Sequence, residues 1–221
     1  MRRVLIVGAS GGIGAALGRA ATARGDEITG MSRRDHGLDV TDEASIIAAL
    51  APLTPPYDLI MVATGALAPP GQGPEKSLRA LDPGQIAAQF ALNATGPALV
   101  LKHALRLMPR DARSTFAALS ARVGSIGDNA LGGWYSYRAS KAALNQLLHT
   151  AAIEIARSHR QAVIAALHPG TVDTGFGAEF HKGRETVPPD TAAADLLAVI
   201  DRLTPADSGG FFDYAGNRIP W

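Results

Sequence analysis

The chain has 221 residues, enough for one α/β domain with a substantial core, and it is 47% hydrophobic against 19% charged, which excludes intrinsic disorder. Lys plus Arg (21) nearly balance Asp plus Glu (20) with no long run of one sign, so a nucleic-acid or membrane-surface partner is not expected. Cysteine is absent, which excludes disulfides and thiolate chemistry.

Arg2 to Val7 ("RRVLIV") has the pattern of a buried strand, and glycines then lead into a helix over "IGAALGRAATARG" with Gly25 as its stop. This opening has the outline of a signal peptide, yet its middle carries five glycines and Arg19 falls just before the would-be cleavage site. No run of about 20 apolar residues occurs, so no membrane span is expected, and the location expected is cytoplasmic. "EITGMS" reads as a second strand and "GLDV" as a short third one. "DEASIIAALAPL" is a helix opened by acidic residues, and "YDLIMVATG" is again a strand. Asp82 caps a helix with Pro83 in its first turn. "STFAALS" is a strand, Tyr137 to about His159 a long helix, and "AVIAALHPG" a strand ending in a proline-glycine turn. "TAAADLLAVIDRL" is a helix, and "GGFFDYAG" is the last strand.

Strands and helices alternate throughout, and the strands are nearly continuous apolar runs. That pattern predicts a doubly wound parallel sheet of about seven strands, covered by helices on both faces, in one domain over residues 1–221.

"GASGGIG" places Gly8, Gly12 and Gly14 directly after the first strand. Glycine there lets backbone approach a pyrophosphate at a helix N-terminus, although a sharp strand-to-helix turn also uses glycine. Arg33 follows at the predicted end of the second strand. An acidic side chain there would suit the ribose hydroxyls of NAD(H), whereas arginine suits the 2′-phosphate of NADP(H), so NADP(H) is favoured; Arg34 is adjacent and could share the role. Asp39 either accepts a hydrogen bond from an adenine amino group or caps the next turn.

"GGWYSYRASKAALNQ" holds the other group of interest. Tyr137 and Lys141 are four residues apart and share one helix face, while Tyr135 lies about 120° round the helix and is expected to pack or to line substrate. A phenol near pKa 10 exchanges protons poorly at neutral pH. A neighbouring ammonium is expected to lower that pKa and make Tyr137 a usable acid.

With these residues in view, the chain resembles the short-chain dehydrogenase/reductase family over nearly its whole length, on Gly8, Gly12, Gly14, Asp39, Asn93 in "LNATG", "YSYRASK" and "HPGTVDT". Its wording is most similar to the C-factor and sniffer-type carbonyl reductases. The resemblance implies a Rossmann fold and NADPH-dependent reduction of a ketone or aldehyde. Tyr137 would be the general acid, Lys141 would hold the nicotinamide ribose, and Asn93 would hold a water in a relay to Lys141. The cofactor-binding set it implies is Gly8, Ser10, Gly12, Ile13, Gly14, Arg33, Asp39, Val40, Ala63, Gly65, Tyr137, Lys141, Pro169, Gly170, Val172 and Thr174, with the last two meeting the carboxamide. Asn93 also has a reading of its own. Pro97, four residues later, has no N–H to give the Asn93 carbonyl, so a local kink and a free carbonyl are expected.

Two positions depart from the family pattern. Val62 stands where a structural asparagine is usual, and Ala121 falls on the usual catalytic serine. Ser120 is the expected substitute hydroxyl; Ser125, or neither serine, is the alternative. The six histidines show no metal spacing, and His103 and His149 are expected to pack or face solvent. Residues 175–190 are expected to cover a small-molecule carbonyl or alcohol substrate. Ala-rich helix faces suggest a homodimer or homotetramer. The rival reading is a nucleotide-binding signalling protein of C-factor type, which would not need the Tyr137–Lys141 pair.

Overall fold

The computed structural model describes residues 1–176 and 185–221. Six strands form one sheet: β1 (Arg3–Val7), β2 (Glu27–Met31), β3 (Leu59–Val62), β4 (Ser114–Leu119), β5 (Ala162–His168) and β6 (Gly210–Asp213). They lie in the order β2-β1-β3-β4-β5-β6, and every pairing is parallel. The residues of β3 and β4 are buried throughout, as helices on both faces require.

Helices α1 (Gly12–Ala23) and α7 (Pro189–Arg202) pack on one face against Val4, Ile6 and Val163. The other face is covered by α3 (Glu43–Leu50), α5 (Gly96–Ala104) and α6 (Tyr135–Ile155), packed over Leu5, Ile60, Phe116 and Ile164. Helix α4 (Pro83–Phe90) lies beside α6, and Asp82 caps it through the Gln85 N–H with Pro83 in its first turn, as expected. Two further expectations shift only in their bounds. Helix α6 starts at Tyr135 instead of Tyr137 and closes at Ile155 instead of near His159.

The strand count is corrected from about seven to six, because "GLDV" forms none. The four-residue helix α2 (Arg33–His36) follows β2 at once, and Gly37 closes it at φ 67°, a left-handed conformation that glycine adopts without strain. The Asp39 backbone then pairs with the Ser45 hydroxyl instead of a neighbouring strand. Leu38 and Val40 are buried, so the apolar pattern was real and the hydrogen-bonding state was not. Arg33 accordingly opens a helix; it does not end a strand. With β2 outermost, a largely apolar groove of about 590 Å³ remains between it and α1. That groove is lined by Ala9, Gly14 and Ile28 among others and contains none of Tyr137, Lys141 or Asn93.

The strand order reverses between β1 and β3, where chain segments leave the carboxyl ends of the sheet in opposite directions. Ligand crevices of doubly wound folds open at that point.

Candidate active site

The glycine loop is shaped by three close approaches. Gly8 sits at φ 92°, and its N–H donates to Met31 O at 2.8 Å, which ties the loop to the end of β2. A Cβ on Gly14 would lie 2.1 Å from Gly8 O, and one on Gly12 would lie 2.6 Å from Thr174 Cγ2. No side chain caps the start of α1, and no acidic residue stands in its first turn. Backbone donors and the positive helix end therefore face outward together, which fits the phosphates of a dinucleotide. Ser10 is exposed at the tip of the loop, and Ile13 packs partly against the core.

The second strip of the expected cofactor site arrives from β5. Gly170 turns the chain at φ 81°, and Val172 is buried in a bridge to Val187. Its carbonyl accepts from Thr174 N–H at 2.9 Å, which brings the Thr174 side chain over Gly12. Pro169 lies half-buried in the same turn. Arg33 is far less committed. Its side chain is 80% exposed and approaches Asp39 only to 3.7 Å. Asp39 itself accepts from the backbone N–H and the hydroxyl of Thr41, which hold its carboxyl below the usual range. Of its two sequence readings, the turn cap is therefore formed. Val40 packs against Gly96, where a Cβ would meet Val40 O at 2.7 Å.

Tyr137 and Lys141 are both buried on α6 and face the carboxyl end of the sheet. Lys141 Nζ donates to Leu119 O at 2.8 Å and lies 5.9 Å from the centre of the Tyr137 ring. Gly65, just past β3 and Ala63, completes the group: a Cβ there would meet Asn93 Oδ1 at 3.0 Å and Lys141 Nζ at 3.5 Å. Burial pushes the Lys141 ammonium down to about 7 and pushes the Tyr137 phenol above its ordinary value. Desolvation by burial is the cause at Tyr137, and its direction is opposite to the lowering expected from a charged neighbour. At neutral pH Tyr137 therefore holds its proton, the form a general acid needs.

Asn93 is completely buried at the centre of a π-helical turn, Ala91–Thr95, that separates α4 from α5. Pro97 cannot donate to the carbonyl four residues earlier, and the helix widens, with Gly96 N–H reaching back to Ala91 O. The expected simple kink is thus a π-turn. The Asn93 side chain pairs with the Ala66 backbone in both directions, at 3.0 and 2.9 Å, and reaches the hydroxyl of Ser140 at 3.2 Å. It holds the loop after β3, a position where Val62 offers no polar group.

Ser120, the expected substitute hydroxyl, stands at the end of β4. Its hydroxyl is buried and donates to Asn145 Oδ1 at 2.7 Å, while its N–H still bonds Leu167 O, so strand geometry persists through residue 120. Ser125 is also engaged, accepting from Asp128 N–H at 3.1 Å.

These features coincide with known proteins. A family model described as enoyl-(acyl carrier protein) reductase matches residues 8–198. The 1-hydroxy-2-glutathionyl-2-methyl-3-butene dehydrogenase of Rhodococcus sp. (strain AD45) is 30% identical over the full length of both chains. The chain belongs to the short-chain dehydrogenase/reductase family. C-signal of Myxococcus xanthus is 36% identical over 141 residues, 64% of this chain and 81% of its own, in keeping with the C-factor-type wording. A crystal structure from Burkholderia multivorans, described as a short-chain dehydrogenase/reductase with bound NADP, superposes over all of both chains with a TM-score of 0.85 at 26% identity.

Within this short-chain dehydrogenase/reductase, sequence reasoning missed Glu75, Trp134 and Asn145. Each matters through a partner distant in the chain, and none carries a local motif. Among the described residues no helix is long and apolar enough to cross a membrane, and no group of three or more His, Cys, Asp or Glu could hold a metal ion. Only Phe176 and the ends of the expected substrate-covering stretch are described; residues 177–184 lie outside the described set.

Proposed function

We propose that the protein is an NADP(H)-dependent carbonyl reductase in which Tyr137 is the general acid. The observation that carries this is the buried Tyr137–Lys141 pair beside Gly65 and Asn93, at the sheet end that also presents the glycine loop. A bound nicotinamide supplies the hydride that a carbonyl carbon accepts.

The chain's own residues supply the proton and the alignment. As charge grows on the carbonyl oxygen, the phenol of Tyr137 gives up its proton to it, and an alcohol results. Lys141, one helical turn along and balanced near neutrality, stabilises the phenolate left behind and passes a proton back to it. Asn93 anchors the loop that closes this end of the site, and its carbonyl is the proposed holder of a relay water. Ala121 offers no hydroxyl, and Ser120 donates inward, so Tyr137 is the proposed sole side-chain donor to the substrate oxygen. Arg33 is the proposed partner of a 2′-phosphate, in keeping with the NADP bound to the Burkholderia multivorans protein. Residues 175–190 remain the proposed substrate cover, and a homodimer or homotetramer the proposed assembly.

Oxidation of NADPH should be followed at 340 nm against a panel of ketones and aldehydes for the parent and Tyr137→Phe. The expected result is turnover of at least one carbonyl, lowered about 100- to 10,000-fold in the variant, with NADPH affinity nearly unchanged. Equal rates in both proteins sink the assignment. Tight NADPH binding without turnover of any carbonyl would favour a nucleotide-binding signalling role, the reading that the likeness to C-signal brings with it.

A further inference from the structure

Glu75 lies in the loop between β3 and α4, and only 3% of it is exposed. Among the described residues no cation stands within ion-pair distance of it. A buried carboxylate without a cation is costly unless hydrogen bonds satisfy it. Here the first turn of α6 supplies them. Ser136 N–H donates to Glu75 Oε2 at 3.2 Å, and the Ser136 hydroxyl donates to Oε1. Helix α6 gets no side-chain cap from Trp134, its own N-cap residue. Glu75 provides the cap from 61 residues away, where the positive helix end favours an anion.

The same residue fixes the chain entering the helix. Gly132, Gly133 and Trp134 adopt φ values of 64°, 65° and 54°, a left-handed run in which the tryptophan is the strained member. Trp134 N–H donates to the backbone carbonyl of Glu75 at 2.5 Å. The Trp134 ring then stands 6.3 Å from the Tyr137 ring, edge to face, with Phe176 6.1 Å away on another side of Tyr137. The loop carrying Glu75 is itself anchored, by Ala66 on Asn93 and by Gln85 Nε2 on Gly73 O at 3.2 Å.

We propose that Glu75 is the positioning residue of the catalytic helix: its carboxylate pins Ser136, its carbonyl pins Trp134, and together they fix Tyr137 against the carbonyl substrate. Tyr137 immediately follows Ser136, so a loosened first turn displaces the phenol directly. A displacement of about 1 Å at a reacting group can cost about 100-fold. Lys141, one turn further along α6, keeps its own anchor on Leu119 O, and the stretch after Gly65 keeps its anchor on Asn93, so cofactor affinity is expected to change less than turnover. This inference rests on the reductase reading for its kinetic part only.

The test compares Glu75→Ala, Glu75→Gln and the milder Ser136→Ala. The chain has two tryptophans, so a Trp221→Phe background lets emission report on Trp134 alone. Glu75→Ala is expected to lower kcat/KM for a carbonyl about 10- to 100-fold, to leave the NADPH Kd within about twofold, to shift Trp134 emission and to speed amide exchange over residues 134–140. Glu75→Gln can still accept from the Ser136 N–H and is expected to restore each reading to within about threefold of the parent. Should Glu75→Ala fail to fold, Ser136→Ala carries the kinetic comparison, with an expected loss of about 3- to 10-fold. Parent-like kinetics, emission and exchange in Glu75→Ala overturn the proposal. Equal losses in NADPH affinity and carbonyl turnover also overturn it, because they mark general loosening. A parent that binds NADPH but reduces no carbonyl refutes the reductase reading instead, and emission and exchange then decide the role of Glu75.

Discussion

The glycine loop and the start of α6 both deliver a helix N-terminus to the crevice, but they are held in different ways. The loop after β1 is crowded largely by backbone: a Cβ on Gly14 would sit 2.1 Å from Gly8 O and one on Gly8 would sit 2.9 Å from the Ala63 carbonyl carbon, while Gly12 lies under the side chain of Thr174. The start of α6 is held by residues remote in sequence: Glu75 on Ser136, Leu119 on Lys141, and Asn93 behind both. A binding surface for phosphate can be made of backbone alone. A proton donor has to be placed by side chains, and its surroundings come from several elements.

The largest effect is expected at the loop after β1. Gly14→Ala forces backbone apart where no flexible side chain can yield, so the expected cost exceeds the roughly 1 to 3 kcal/mol typical of overpacking. Calorimetry and NADPH titration should show both a lower Tm and binding weakened beyond measurement; a variant that binds NADPH as the parent does would show that the loop is not the phosphate site.

At the α6 end, Lys141 links stability to pH. Its pKa is pushed down to about 7 in the fold from an ordinary 10.5. Between those values the unfolded chain binds more protons than the folded one, so stability rises with pH from about 7 to about 10.5 and is lost as pH falls through 7. The expected gain is several kcal/mol. Lys141→Met should remove this slope, and denaturant midpoints across that range check it. An unchanged slope in the variant would place the titration elsewhere.

Arg33→Asp probes the adenosine end, where the arginine is largely exposed. A charge-assisted contact to a 2′-phosphate is worth roughly 1.5 to 3 kcal/mol, so NADPH should bind about 10- to 150-fold more weakly while NADH is spared. Equal NADPH and NADH affinity in the parent would remove Arg33 from the site. The smallest effect is expected at Ser120. Ser120→Ala leaves Asn145 Oδ1 buried without its donor and should cost roughly 1 to 3 kcal/mol of stability. Turnover should stay within about threefold; a fall of a hundredfold would restore Ser120 to the catalytic group.

Much of this architecture was legible in the residues. The alternation of apolar runs and helical periods predicted the parallel sheet, the Asp82–Pro83 cap and the glycine turn after β1, because hydrophobic period and capping are local physics. The Tyr137–Lys141 pairing followed from helical spacing alone. "GLDV" failed because an apolar run says which side chains are buried and not which backbone groups pair; Gly37 and Ser45 settled the second point.

What sequence by itself determined, then, is whatever neighbouring residues impose on one another: strands, helix starts, the glycine turn and the shared face of Tyr137 and Lys141. Tertiary structure alone decided the direction of the Tyr137 and Lys141 shifts, the inward turn of Ser120 and the capping of α6 by Glu75. Each of these depends on dielectric surroundings or on a partner brought close by folding. Burial and long-range contact are properties of the packed chain, and no local pattern encodes them.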